Sequence, residues 1–186
     1  VIKSGCDFLH IDIMDGHFVN NIAIGFDTLI QLKQKLNTAY LDVHLMVENN
    51  SIWIDKLINL GVDSIAFHVE SDNYIIESLN LIRANNIKAG LAINPKTKLE
   101  KIYDYIPYVD YVLFMTVDPG FSGQTFDNSV INKIKFFHEK FPKIEIEVDG
   151  GITHENINIL SKIGVTKFVS GSTIFKSNNY TDTIID

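Results

Sequence analysis

The sequence predicts an α/β protein in which short parallel strands alternate with helices and curl into a (β/α) barrel. Seven runs rich in β-branched or aromatic residues, each bounded by Gly, Asp, Asn or Pro, recur roughly every 22–34 residues. Helical patterns separate them, and strict alternation of this kind favours a parallel sheet. Chemically reactive residues follow many strands, and no early G-x-G-x-x-G motif is present. A barrel is therefore favoured over a doubly wound open sheet.

The predicted elements account for seven of the eight strands that a closed barrel of this type requires. Strands are predicted at residues 8–13, 40–45, 64–69, 88–93, 111–115, 144–148 and 167–170. Helices are predicted at residues 26–36, 51–60, 74–84, 99–105, 128–140 and 154–163. We expect residues 1–186 to form a single (β/α)8 TIM-barrel domain that lacks its first strand and helix and is slightly truncated at the C-terminal end.

Composition narrows the class of protein. The chain has 186 residues, of which 46% are hydrophobic and 21% charged, as in soluble globular proteins. A formal net charge of -7 argues against a nucleic-acid partner. No apolar run reaches membrane-spanning length, so no membrane association is expected. The single cysteine, Cys6, cannot form an internal disulfide, and we expect a cytoplasmic protein.

Imidazole and carboxylate side chains recur at alternate positions of three strands. Alternate residues of a strand share a face. On this basis His10, Asp12 and Met14 share one face of the first strand, Asp42, His44 and Met46 share one face of the second, and Asp149 ends the sixth. A lone strand histidine is more often a core residue, and a lone terminal aspartate is often a helix N-cap. Together, two histidines and two aspartates indicate a site for Zn²⁺ or another first-row divalent ion.

Glycine-bearing loops follow three of the later strands. They contain Gly120 and Gly123, the Gly150-Gly151 pair, and Gly171 with Ser172. Glycines let backbone N–H groups approach an anion closely, and barrels commonly bind phosphate after their last two strands. Any one of these could be an ordinary loop, but their order favours a phosphate site.

The three methionines and one further histidine are less informative. Met14, Met46 and Met115 all fall at predicted strand ends, where they could be core filler or an apolar cover over a reactive intermediate. Their common placement favours the cover. His68 also ends a strand, but nothing in the sequence fixes its role.

Five segments in order, HIDIMDGHFVNN, LDVHLMV, FMTVDPGFSGQTF, IEVDGGI and VSGSTIF, resemble ribulose-phosphate 3-epimerase. The resemblance runs from about Phe8 to Phe175, nearly the whole chain. It implies a (β/α)8 barrel that binds one divalent metal ion, Zn²⁺ first, with Fe, Mn or Co as alternatives. The family also starts with a strand carrying a substrate-contacting Ser, which would precede Val1. The implied ligands are His10, Asp12, His44 and Asp149, with Asp12 and Asp149 also acting as acid and base.

The resemblance further implies a phosphorylated ketose as substrate and a homo-oligomeric protein. Methionines 14, 46 and 115 would surround the reacting carbons. The implied substrate contacts are His44, Gly120, Phe121, Ser122, Gly123, Gly150, Gly151, Gly171 and Ser172.

The expected reaction interconverts D-ribulose 5-phosphate and D-xylulose 5-phosphate by two-base proton transfer at C3 through an enediolate. An epimerase for allulose 6-phosphate could share the same metal site. A decarboxylase of the orotidine-monophosphate type would want an Asp-x-Lys-x-x-Asp pattern, and this chain has His44 where that lysine would stand. An inactive phosphate-binding barrel is the alternative outside catalysis.

Overall fold

The computed structural model describes residues 1–185 and contains one mixed sheet. Its strands are β1 (Leu9–Asp15), β2 (Ile22–Ala23), β3 (Leu41–Met46), β4 (Ser64–His68), β5 (Lys88–Ile93), β6 (Tyr111–Met115), β7 (Glu145–Asp149) and β8 (Lys167–Val169). The strand order is β2-β1-β3-β4-β5-β6-β7-β8. All pairs are parallel except the short β1–β2 hairpin. All seven predicted strands are confirmed, whereas β2 was not predicted.

Helices follow the strands and cover the outside of the sheet. They are α1 (Phe26–Lys35), α2 (Asn50–Leu60), α3 (Ile75–Ala84), α4 (Val130–Lys140), α5 (His154–Lys162), α6 (Ser172–Phe175) and α7 (Tyr180–Ile185). The helix predicted at 99–105 is wrong in type, because the chain forms two 3₁₀ helices, Leu99–Lys101 and Tyr103–Tyr108. Pro107 lies inside the second and has no backbone N–H to donate, which disfavours a regular α-helix there. Within residues 1–185, no helix is long and apolar enough to cross a bilayer.

Contacts across the interior show that the sheet curls into most of a barrel. His10 on β1 approaches Glu147 on β7, with 3.3 Å between Nδ1 and Oε1. The Tyr111 hydroxyl on β6 donates to Asp42 Oδ1 on β3 at 3.1 Å. Strands β1 and β8 are not paired with each other in the described residues. The fold is therefore that of a (β/α)8 barrel in which the described residues lack the closing strand, as predicted.

Alternation along β3 separates the apolar core from the polar interior. Leu41, Val43 and Leu45 are fully buried and belong to the large core cluster that includes helix residues. Asp42 and His44 lie on the opposite face and contact residues of other strands inside the barrel. The apolar layer thus holds the helices to the sheet, and the interior positions are left for polar side chains.

Gly90 on β5 makes room for the Tyr111 ring inside the barrel. A Cβ at Gly90 would overlap the Tyr111 ring and hydroxyl, although the backbone itself does not require glycine there. Tyr111 is fully buried, and its hydroxyl reaches Asp42 only because the ring crosses the interior. The absence of a side chain at Gly90 thus supports a polar contact between distant strands.

We therefore expect Gly90→Ala to lower the free energy of unfolding by about 1–3 kcal/mol, because a methyl group would overpack the interior. Urea denaturation followed by circular dichroism measures this loss. Gly25→Ala is the matched control, since a Cβ at Gly25 meets nothing within 4 Å. Equal losses in the two variants would contradict the packing role of Gly90.

Candidate active site

Four side chains from three strands converge at the carboxyl end of the barrel. They are His10 and Asp12 of β1, His44 of β3 and Asp149 of β7, and one potential ligand atom from each lies within 4.8 Å of the others. Asp12 Oδ1 is 3.1 Å from His44 Nδ1 and 3.4 Å from His10 Nε2. Asp149 Oδ2 is 3.9 Å from both nitrogens. The structure therefore brings together all four residues predicted to bind a metal.

The geometry and chemistry of this cluster fit a divalent cation. Ligand atoms around a tetrahedral Zn²⁺ at about 2.0–2.1 Å are separated by roughly 3.3 Å, close to the shorter distances observed here. His10 Nε2 is buried and has no hydrogen-bond partner among the described residues, as expected of a nitrogen that binds a metal ion. Two nitrogens and two carboxylate oxygens also suit first-row metals. A cation fits this site.

A buried carboxylate fixes the ring of His10. Asp42 Oδ2 lies 2.6 Å from His10 Nδ1, while Asp42 Oδ1 accepts hydrogen bonds from Ser64 and Tyr111. Because Asp42 engages Nδ1 and is itself held on two sides, Nε2 is directed toward Asp12. This carboxylate–histidine contact is the usual outer support of a metal-binding histidine.

The surroundings drive the pKa values of the two aspartates in opposite directions. Burial acts to raise the pKa of Asp12, but hydrogen bonds with His10 and His44 outweigh it and hold that pKa well below its usual value. Burial raises the pKa of Asp149 to about 7, and the negative charge of Asp12 adds to this effect. Burial also lowers the pKa of His44 to about 4, so its ring is neutral near pH 7. A neutral imidazole can offer a lone pair to a metal.

A cavity of about 1100 Å³ opens beside the cluster. It extends from the carboxyl ends of the strands along the opening between β1 and β8. Its lining contains nearly every residue predicted at the site: His10, Asp12, Met14, Met46, Met115, Gly120, Phe121, Ser122, Gly123, Asp149, Gly150, Gly151, Gly171 and Ser172. His44 is the exception, because its side chain is fully buried behind the cavity wall. Its role as a substrate contact stays a prediction.

The structural reason for glycine differs among the loop positions. Gly150 and Gly151 have positive φ angles, and a Cβ at either would press on Val117 or on the Phe126 backbone. Their packing alone explains them. Gly171 has φ −96 and ψ −80, and a Cβ there would meet nothing within 4 Å. Gly171 is also the N-cap of α6, a position that favours glycine over alanine, and its role as a substrate contact stays a prediction.

The three methionines lie at or next to the ends of their strands, as predicted. Met14 and Met46 are direct neighbours in the register of β1 and β3, and both are buried with Val19. Met115 pairs with Asp149 in the register of β6 and β7. The three side chains thus form an apolar wall beside the carboxylates.

Comparison with known proteins identifies the family of this chain. Residues 1–175 match the model of the Ribulose-phosphate 3 epimerase family. The chain belongs to this family. Similar proteins named ribulose-phosphate 3-epimerase include one from Eremothecium gossypii, 36% identical over 99% of this chain and 81% of the relative. Another, from Buchnera aphidicola subsp. Baizongia pistaciae, is 41% identical over 99% and 83%. One from Bacillus subtilis is 38% identical over 94% and 82%.

Solved structures with low sequence identity share the fold of this epimerase-family chain. A 3-keto-L-gulonate-6-phosphate decarboxylase from Vibrio cholerae superposes with a TM-score of 0.71 at 12% identity, covering 96% of this chain and 94% of that one. A 3-hexulose-6-phosphate synthase superposes with a TM-score of 0.67 at 16% identity, covering 94% and 83%. These similarities support the barrel architecture alone.

Several polar residues around the site of this family member were not assigned roles from the sequence. Asp42 and Glu147 lie deeper in the barrel beside His10, and His68 and Glu70 lie beyond His44. The sequence did offer a signal for Asp42 and Glu147. Each lies two residues from a predicted metal ligand and therefore on the same face of its strand. His68 and Glu70 gave no such signal, because the contact of His68 with His44 joins neighbouring strands and Glu70 contacts only His68 of this pair.

We expect Zn²⁺ to raise the midpoint of thermal unfolding of the metal-free chain, because a ligand that binds only the folded state stabilises it. At 100 times the dissociation constant the gain is about 2.7 kcal/mol. Differential scanning calorimetry with and without Zn²⁺ measures it. His44→Ala should lose most of the shift, whereas His17→Ala, whose side chain is 72% exposed, should keep it. A full shift in His44→Ala would remove His44 from the ligand set.

Proposed function

We propose that the chain interconverts D-ribulose 5-phosphate and D-xylulose 5-phosphate by moving a proton at C3. The observation that carries this proposal is the pair of carboxylates, Asp12 and Asp149, which come from non-adjacent strands and border one cavity. Inversion at a carbon beside a carbonyl needs one group to remove the proton and another to return it to the opposite face. Two carboxylates on different strands suit that task, and family membership supports it.

The same carboxylates with His10 and His44 would hold one divalent cation, for which we favour Zn²⁺ over Fe, Mn or Co. Such an ion would act as a Lewis acid for the negative charge that develops on the sugar oxygens. The charges of the interior support the proposal of a cation at this site. Within residues 1–185, Lys167 alone among lysines and arginines lies within 4.0 Å of a carboxylate of Asp12, Asp42, Glu147 or Asp149.

In the metal-free chain, the unequal environments of the two aspartates support different resting states. Asp12, whose pKa is held low, is ionised and ready to accept the C3 proton. Asp149, with its raised pKa, can carry a proton to the opposite face. In the reverse reaction the roles exchange, so each residue must be able to hold the proton in turn.

The glycine loops would seat the phosphate, and the methionine wall would exclude water from the reacting carbons. Among the described residues that line the cavity, Lys167 is the only lysine or arginine, and its Nζ lies 3.7 Å from Glu145 and 4.0 Å from Glu147. Because that cation is already paired, we expect backbone N–H groups of the loops and hydroxyl groups such as that of Ser172 to hold the phosphate. Homo-oligomerisation and a cytoplasmic location stay predictions.

Asp149→Asn should lower turnover by about 100- to 10,000-fold, because an amide cannot relay a proton. Substrate should still bind, since the amide oxygen can occupy the carboxylate position. A coupled spectrophotometric assay measures turnover, and deuterium exchange into C3 from D₂O reports proton removal directly. The exposed Asp27→Asn is the control for loss of one negative charge. Near-normal turnover of Asp149→Asn would contradict the assignment.

Gly171→Ala should raise the KM for the sugar phosphate at least about tenfold, equivalent to roughly 1.4 kcal/mol of binding. A methyl group at this position projects into space that the fold leaves open, where the phosphate would approach. Steady-state kinetics measures the change, with Gly25→Ala as a glycine control whose added Cβ is equally unhindered. An unchanged KM would show that the phosphate binds elsewhere.

An epimerase for a six-carbon ketose phosphate could use the same four metal-binding side chains. Allulose 6-phosphate is therefore the second candidate. Relative kcat/KM on the two sugars, measured with the same preparation, decides between them. A chain that binds phosphate but turns over neither sugar would instead support an inactive barrel.

A further inference from the structure

His68 is a buried histidine that lies next to the site and has no part in the reaction described above. It ends β4 and its side chain is fully buried. Its Nε2 lies 2.9 Å from Nε2 of His44, and its Nδ1 lies 3.1 Å from Oε2 of Glu70. The ring also packs on Phe18, with 4.7 Å between ring centroids. His44, His68 and Glu70 therefore form one continuous chain of polar contacts.

When His44 Nδ1 faces a cation, only one arrangement of protons gives every N–H in this series of contacts an acceptor. A nitrogen that binds a metal carries no proton, so the neutral His44 ring carries its proton on Nε2. That N–H donates to His68 Nε2, which must then be the unprotonated nitrogen of its ring. The remaining proton of His68 lies on Nδ1 and is donated to Glu70. Every donor thus meets an acceptor, and the series of contacts ends at the Glu70 carboxylate.

We propose that His68 and Glu70 are positioning residues that fix the tautomer of His44 and direct its Nδ1 lone pair at the cation site. This inference rests on the metal centre of the proposed function. The two histidine ligands then have equivalent supports, because the second nitrogen of His10 meets Asp42 directly and that of His44 meets Glu70 through His68. Such outer contacts hold a ligand ring in place and strengthen it as a donor.

Glu70 is itself held in place, so that it can act as the final acceptor in this series of contacts. Its Oε1 accepts the backbone N–H of Asn94 at 3.0 Å, so the carboxylate bridges the ends of β4 and β5. Burial acts to raise the pKa of Glu70, but the hydrogen bond with His68 and its other contacts outweigh it and hold that pKa at about 2. The acceptor for His68 is therefore a charged, fixed carboxylate, which makes a stronger hydrogen bond than a neutral group.

Metal affinity of the chain is the decisive measurement, because it needs no turnover. His68→Leu should raise the dissociation constant for Zn²⁺ by about 10- to 100-fold, the usual effect of losing an outer support. His68→Gln should recover part of this loss, since its amide oxygen can accept from His44. Glu70→Gln should weaken binding in the same direction. Competition with a chromophoric chelator gives these constants, and the visible spectrum of the Co²⁺-loaded chain reports the geometry of the site.

Asp72→Asn is the matched control for Glu70→Gln. It removes the same charge two residues further on, where Asp72 contacts only Tyr74 and Ser78 among the described residues. Its dissociation constant should stay within about twofold of the unmodified chain. The midpoint of unfolding of each metal-free variant separates a change in affinity from a general loss of stability. If His68→Leu fails to fold, the comparison of Glu70→Gln with Asp72→Asn decides alone.

Unchanged Zn²⁺ affinity in Glu70→Gln and His68→Leu would overturn the inference, and so would an equal loss in Asp72→Asn. In either case the unmodified chain would still bind the ion and epimerise the sugar, so the proposed function would stand. An unmodified chain that binds no divalent ion would overturn both this inference and the metal centre. Weaker binding in the His68 and Glu70 variants, with an altered Co²⁺ spectrum and an unchanged control, supports the inference.

Discussion

Buried negative charge is the constraint on which the interior of this barrel depends. His10 lies among four carboxylates, with Nδ1 at 2.6 Å from Asp42 and 3.3 Å from Glu147, and with Nε2 facing Asp12 and Asp149. Taking carboxylates out of water costs several kcal/mol each unless opposite charge or hydrogen bonds compensate. Burial raises the pKa of Glu147 to about 8, which removes one charge by protonation. A cation at the proposed metal site would balance the charge that is left and would thereby stabilise the folded chain.

The sequence was enough to predict the strands and the four clustered side chains, because both follow from alternation along single strands. In β1 and β3 the period of two separates apolar residues, which face the helices, from polar residues, which face the interior. The roles of Asp42 and His68 could not be predicted in this way. Alternation gives the face on which a residue lies but not its partner, and the Tyr111–Asp42 contact depends on how far the sheet curls. That curl is a property of the whole barrel.

Two local elements were not predicted correctly from the sequence, because the backbone and not the side-chain pattern decides their structure. The apolar spacing around residues 99–105 is helical, yet two 3₁₀ helices form there, the second of them containing Pro107. The short β2 strand has only two residues and pairs with the end of β1 at Met14 and Asp15. Two residues are too few to show a period. This hairpin nevertheless lies beside the cavity, to which Ala23 contributes part of the lining.

The difference between the two aspartates that we propose as proton carriers comes from the geometry of the proposed metal site. Asp12 lies 3.1 Å and 3.4 Å from imidazole nitrogens, whereas Asp149 lies no closer than 3.9 Å to either ring. Burial acts against the ionised form of both, and only Asp12 lies close enough to the imidazole rings to overcome this effect. A cation between them would favour the ionised form of both and narrow the gap. A two-base epimerase would need that gap to be small, because in each direction one aspartate takes a proton from C3 while the other gives its own proton to the opposite face.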